Sequence, residues 1–229
     1  MRRARRARWL AGTIVLAACE RDQHRSADAA ASPSWPAATA ATDLKASRWR
    51  IAPNHFGPIH PETSEADLQR TFGDSVVRVR VELGEGETTP GTVLFPGDSI
   101  RRAEIIWRDT LHFRRPERAV LRGTRSVWQA AHGISLGTTL RQLEQLNGKP
   151  FTLAGFGWDY AGVITDWQGG ALDSALAGIK LYVIPDPAKQ QSAAYARVLG
   201  DRDYSSALEA MQQLNPRVEQ IFVDFQSHD

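Results

Sequence analysis

Two aromatic side chains flank a carboxylate in one glycine-rich stretch, Gly155-Phe156-Gly157-Trp158-Asp159-Tyr160-Ala161-Gly162. Glycines let a backbone bend or bulge, and aromatic rings beside an acid make a platform with a polar handle. Such a platform suits a sugar ring or a partner protein. Its contacts would be Trp158, Asp159 and Tyr160, with Trp167 and Gln168-Gly169-Gly170 as an extension. The same residues also suit a hairpin whose aromatics fill the core, and packing is the commoner fate of Trp and Tyr. Other motifs carry less. Gly86 to Thr92 has the glycine spacing of a phosphate loop, but it lacks the lysine, and Glu85 and Glu87 would repel phosphate. It sits between strand patterns and reads as a hairpin. His55 and His60 are five residues apart, while His112 and His132 are isolated, so no metal-ligand set is expected. No serine occupies a Gly-x-Ser-x-Gly elbow. Asp159 with Asp166 leaves a dispersed acid–base pair open, and nothing singles it out. No catalytic residue, metal or cofactor is assigned.

Arg101-Arg102 and Arg114-Arg115 with Arg118 form a local basic cluster. It suits anionic lipid heads, although a solvated face balanced by Glu104, Asp109 and Glu117 is the simpler reading. The chain of 229 residues holds a single cysteine, Cys19. It can form no internal disulfide and no Cys₄ or Cys₂His₂ zinc site. Cys19 follows a basic segment, Met1 to Arg8, and an apolar run, Trp9 to Ala18. Ten residues are too few to cross a bilayer core, which takes about 20 in a helix, so the pattern reads as an export signal. Leu16-Ala17-Ala18-Cys19 resembles the lipobox of bacterial lipoproteins. That resemblance implies cleavage before Cys19, a diacylglyceryl group on its sulfur and usually a further acyl chain on its amino group. Two or more chains make attachment stable where one is marginal. The paired arginines raise twin-arginine export as an alternative, which the residues after them fit poorly. Glu20 stands where an inner-membrane retention aspartate would be. The expected place is thus the cell envelope, facing the periplasm, on the outer rather than the inner membrane.

Loss of residues 1–18 removes five arginines from 28 basic residues and leaves 23 against 26 acids, a net of −3. Nucleic-acid binding is excluded on that charge, because phosphate recognition needs a basic stripe.

What must position the candidate residues follows. Residues 19–47 are rich in Ala, Ser, Thr, Asp and Pro without apolar periodicity, the composition of a tether. The remaining length suffices for one core or two small subdomains sharing one. Two segments match at an offset of 75 residues: Ile59 with Ile134, Thr63 with Thr138, Leu68 with Leu143, Gly73 with Gly148. Ser64-x-x-Asp67 and Thr139-x-x-Gln142 look like helix N-caps, and each glycine sits where a left-handed C-cap is wanted. Strand patterns follow each helix: Val77 to Leu83, Thr92 to Phe95 and Ala103 to Trp107, then Phe151 to Phe156, Val163 to Trp167 and Ile179 to Ile184. The predicted fold class is α+β, with tandem helix-plus-antiparallel-meander repeats over 48–123 and 124–229. A C-terminal helix capped by Ser206-x-x-Glu209 and a strand with Ile221, Val223 and Phe225 on one face close the second sheet.

Gly133-Ile134-Ser135-Leu136-Gly137-Thr138-Thr139, then Leu143, Leu146, Gly148 and Pro150, resembles a repeat of small envelope lipoproteins. Those include the outer-membrane assembly lipoproteins of the SmpA/OmlA type, and the fold is similar to that of the β-lactamase inhibitor protein. The match covers about 20 residues per repeat. The first copy departs from it, with Pro58 and Glu62 in place of Gly133 and Gly137. The expected function is that of a lipid-anchored envelope protein binding another protein without catalysis, as scaffold, assembly factor or inhibitor. The alternatives are a glycan- or peptidoglycan-binding module and a hydrolase with a dispersed carboxylate site.

Overall fold

The computed structural model describes residues 48–84 and 86–226. The signal segment, Cys19 and the tether lie outside them. The described part is α+β with antiparallel sheets. After a two-residue hairpin, β1 (Ile51–Ala52) and β2 (His55–Phe56), the first helix α1 runs Glu65–Phe72. A four-strand meander follows: β3 (Val76–Gly84), β4 (Glu87–Leu94), β5 (Ala103–Asp109) and β6 (Arg114–Arg122). Helix α2 (Leu140–Asn147) opens the second half. It is followed by β7 (Thr152–Ala154), β8 (Ile164–Asp166), a short α3 (Ala171–Ala175) and β9 (Ile179–Ile184). Then come α4 (Ala193–Ala196), β10 (Asp203–Ser205), α5 (Glu209–Leu214) and β11 (Arg217–Asp224).

Two of the three predicted caps form, each as a capping box. Ser64 accepts from the Asp67 amide while Asp67 accepts from the Ser64 amide, and Thr139 and Gln142 do the same. Gly148 ends α2 at φ 75°, where a side chain would be strained. The strands after the two helices are arranged differently. β3 to β6 lie in sequence in one sheet of order β3-β4-β5-β6-β11-β9, whereas β7 and β8 join β10 in a separate three-stranded sheet. The two sheets meet where Val163 bridges Tyr182 and the Val183 amide donates to the Gly162 carbonyl.

Several local expectations are corrected. β6 is a full strand that the sequence hid, because Pro116 and its charges break the period-two pattern. Pro116 is tolerated there because it faces Trp107 beside a register shift. Thr88 to Gly91 belong to β4 rather than to a long turn. Ser206 does not cap a helix. The helix starts after Leu208, and the buried Ser206 hydroxyl donates to Glu144 (2.9 Å) and accepts from the Phe151 amide (2.9 Å). β11 does present Ile221 and Val223 to the core, with Phe225 buried just past its end. It lies between β6 and β9 in the large sheet, and so ties the two halves of the chain together.

Every longer helix buries its apolar side on one face of the large sheet. Leu68 and Phe72, Leu140 and Leu143, and Met211 and Leu214 join Ile105, Trp107, Leu121, Ile221 and Val223 in one core. A buried carboxylate is built into that face. Glu65 accepts from Thr92 Oγ1 (2.8 Å) and Arg78 Nε (2.6 Å), and Trp107 Nε1 donates to the same Thr92 hydroxyl (2.9 Å). The opposite face carries a small cluster drawn from strands alone: Val81, Ile106 and Val120, with Val79 and Phe222 against them. Gly91 makes this possible, since a Cβ there would press on Val81 and on the Ile105 carbonyl. The β3–β4 hairpin leans over this face, and the Arg122 guanidinium reaches the Glu82 carbonyl at 3.5 Å.

Candidate functional site

The glycine-rich loop between β7 and β8 resolves into two kinds of residue. Phe156 is core: it is buried, stacked on Tyr195 (5.8 Å between ring centroids), and its amide donates to the Val198 carbonyl. Trp158, Asp159 and Tyr160 form the loop's outer part. Trp158 is half-buried and donates Nε1–H to the Gly155 carbonyl (2.9 Å). Tyr160 meets it edge-on at 5.6 Å and is 56% exposed, while Asp159 is exposed. Gly162 fixes the loop to the edge of β9, at φ 71° and so close to Val183 that a Cβ would collide with its carbonyl.

Trp167 does not join this group. It sits past the far end of β8, packed on Phe151 (5.0 Å), and its carbonyl accepts from Asn147 Nδ2 (2.9 Å). The intervening strand places the two tryptophans at opposite ends of the β7–β8 hairpin. Gln168-Gly169-Gly170 stays with Trp167 and extends no platform. The Asp166 carboxylate, at the Trp167 end of the hairpin, accepts from the Gln168 amide (2.6 Å).

The loop leads instead onto the face of the large sheet opposite the described helices. Tyr182 on β9 points outward between the buried Leu181 and Val183. Burial raises its phenol above the ordinary tyrosine value, with Tyr160 and Asp224 adding to the shift against Arg118 and Arg122. Its ring lies 4.9 Å from that of Phe222 on β11. Arg118 and Arg122 on β6 bring their guanidinium carbons to 5.2 and 5.4 Å from the Phe222 ring centroid. Each arginine is held from the other side. Arg118 donates to Asp224, which also pairs with Lys180 (3.1 Å), and Arg122 donates to Gln220 (2.6 Å). Burial of Asp224 works against its ionisation, but Arg118 and Lys180 outweigh it and hold the carboxyl below the usual carboxylate range. The result is a strip made of two ring pairs, Trp158 with Tyr160 and Tyr182 with Phe222, joined where Val163 bridges Tyr182 and edged by two arginines.

Sequence reasoning found the loop end of this strip and missed Tyr182, Phe222, Arg118 and Arg122 as members. The signal was present in β11. Once Ile221, Val223 and Phe225 are assigned inward, Phe222 must face outward, where an aromatic has no core to fill.

The arginine cluster is dispersed by pairing. Arg101 binds Asp98 (2.6 Å), Arg102 binds Glu104 (2.6 Å), and Arg118 belongs to the strip. Asp109 accepts from the His112 amide instead of balancing an arginine. That hydrogen bond, with the ring of His112, holds its carboxyl below the ordinary value. Two surface cavities lie elsewhere: one of about 440 Å³ beside Arg197, Arg202, Tyr204 and Glu209, and one of about 340 Å³ beside Trp49, Gln129 and His132. Among the described residues no three of His, Cys, Asp and Glu gather into a metal-binding group, and no helix is long and apolar enough to cross a membrane. Comparison with known protein families, with curated proteins and with solved structures finds no match to this chain.

Proposed function

We propose that this chain is a lipid-anchored cell-envelope protein whose α+β body binds another protein without catalysis, as scaffold, assembly factor or inhibitor. The observation that carries the reading is the strip of Trp158, Tyr160, Tyr182 and Phe222 with Arg118 and Arg122 on the sheet face that, among the described residues, no helix packs against. Tryptophan, tyrosine and arginine are the side chains that dominate binding energy at protein interfaces. Here their ion pairs and ring contacts hold them in place before any partner arrives, which lowers the ordering cost of association. The lipobox-like Leu16-Ala17-Ala18-Cys19 supports the anchor, and the resemblance to SmpA/OmlA-type envelope lipoproteins supports the compartment. The two capped helices 75 residues apart are read as the common part of a tandem repeat whose strands have diverged.

The test is capture from detergent-solubilised envelope with the full chain and with a Tyr160→Ala, Tyr182→Ala double variant. A reproducible partner retained by the first and lost by the second, at unchanged melting temperature, supports the reading. No partner, or one that the variant keeps, overturns it. Mass spectrometry of the protein from its native cells tests the anchor separately, by the acyl mass on Cys19.

A glycan-binding reading draws on the exposed Tyr160 ring set edge-on against Trp158. It requires that peptidoglycan fragments change tryptophan emission in the wild type and leave a Trp158→Phe variant unaffected.

A further inference from the structure

Among the described residues one long backbone edge is open. β3 is the outermost strand of the six-stranded sheet, and among the described residues its backbone groups from Val77 onward hydrogen-bond only to β4, apart from the Arg122 contact at the Glu82 carbonyl, while the Val76 amide donates to the Gly73 carbonyl. At the other end of the sheet, β9 is covered by the Gly162–Val163 loop. β3 is also nine residues long, VVRVRVELG, with no proline and no register shift before Glu82. Proteins normally blunt such an edge with a proline, a bulge or a covering segment. Val77 (39% exposed) and Leu83 (47%) stand uncovered on its outward side.

We propose that β3 pairs antiparallel with β3 of a second copy of this chain, about a two-fold axis through Arg80, to make a sheet continuous across the dimer. Registers centred on any residue of β3 keep the faces of the sheets matched, and length and charge together separate the central ones; centring on Val81 sets Arg80 against Glu82 but, like centring on Val79, pairs only seven residues. Centring on Val79 sets Arg78 against Arg80 of the other copy, twice. Centring on Arg80 sets Arg78, whose exposed guanidinium also holds Glu65, against Glu82 twice, pairs Val79 with Val81, and spans all nine residues, with the irregularity between Glu82 and Gly84 falling only at the two ends. The one like-charge pair it creates, Arg80 with its copy, is relieved in advance. Arg80 is turned back onto its own hairpin, donating to Thr88 Oγ1 and the Thr88 carbonyl, each at 2.7 Å. The rings of the strip that lie in this sheet, Tyr182 and Phe222, belong to β9 and β11, the last strands in the sheet order, whereas the pairing uses the β3 edge. A single strand pair buries little area, so the association is weak and concentration-dependent.

The experiment uses the full chain in neutral detergent. Sedimentation equilibrium shows a reversible monomer–dimer exchange, and Glu82→Arg weakens it about tenfold by turning two attractive cross-strand pairs into repulsive ones. Arg80→Cys forms an interchain disulfide under mild oxidation, mapped by mass spectrometry to position 80 so that Cys19 is not confused with it. Leu111→Cys, at an exposed hairpin tip remote from β3, gives the collision background. A monomer at all concentrations, a Glu82→Arg chain that dimerises like the wild type, or an Arg80→Cys chain that cross-links no faster than Leu111→Cys overturns the proposal. So does cross-linking at position 80 to another segment or another protein. Loss of the envelope partner leaves these readouts unchanged, so the two proposals fail separately.

Discussion

The two faces of the large sheet solve the same problem in different ways. The inner face is sealed by helices, with Leu68, Phe72, Leu140, Leu143, Met211 and Leu214 interlocked with strand residues. The outer face has three buried residues, Val81, Ile106 and Val120, shielded by their own sheet's side chains and by a leaning hairpin. One face is closed by apolar volume and the other by paired charges laid over rings. Apolar volume contributes stability, whereas paired surface charges contribute little of it. The outer face is therefore organised at small energetic gain, which is what a surface kept for a partner would show.

The comparison breaks most visibly at Leu143. It is fully buried on α2, and Leu143→Ala is expected to cost about 2–5 kcal/mol, the usual range for a leucine cavity. Urea titration by far-ultraviolet circular dichroism measures it, and a cost below 1 kcal/mol would mean that α2 is not sealing the face. Next in size is Glu65. Glu65→Ala strands Arg78 and the Thr92 hydroxyl beside Trp107 and is expected to cost about 2–3 kcal/mol. Glu65→Gln keeps an acceptor for Thr92 and should recover part of that loss. Equal costs for the two variants would show that volume, not the polar contact, fastens α1.

How much of this was legible follows from range. The helix caps could be read because each is settled within four residues: Ser64 with Asp67, Thr139 with Gln142. The inward face of β11 was legible from alternation alone. What could not be read is which sheet a strand joins. β11 looked like the close of a second sheet, and the choice of β6 as its partner depends on contacts about a hundred residues away, as between Arg118 and Asp224. Ser206-x-x-Glu209 carried a valid capping signature, overridden because Glu144 and the Phe151 amide took the hydroxyl. The loop end of the candidate site was visible as a motif. The rest of it exists only where three strands meet, and no local pattern encodes that.

On the outer face the effects shrink. Phe222 is partly buried between Tyr182 and two guanidinium groups. Phe222→Ala is expected to cost about 1–2 kcal/mol, from lost area and two cation–π contacts. Phe222→Leu keeps the area and loses the ring, so the difference between the two isolates the arginine contacts. A Phe222→Ala cost as large as that of Leu143→Ala would erase the distinction between the faces.

The smallest effect is electrostatic and changes with pH, along one strand. Arg118 and Lys180 hold the Asp224 carboxyl below its ordinary value despite its partial burial. A carboxyl whose folded value is depressed stabilises above its unfolded value, about 3.9, and that stabilisation is lost as pH falls through the folded value. Asp224→Asn should therefore cost up to about 1 kcal/mol near neutrality, the range of a partly exposed ion pair, with the gap closing below about pH 4 and in high salt. Glu219, five residues earlier on β11, has the opposite sign. Burial without a compensating partner raises its carboxyl above the ordinary value, so its ionisation opposes folding at neutral pH and the penalty disappears on acidification. Glu219→Gln should then stabilise the chain slightly at pH 7 and make no difference once the carboxyl is protonated. Thermal melts of both variants from pH 3 to 8 must diverge from wild type in opposite directions near neutrality and converge in acid. Parallel offsets at every pH would mean that side-chain shape, not charge, sets the order of this face.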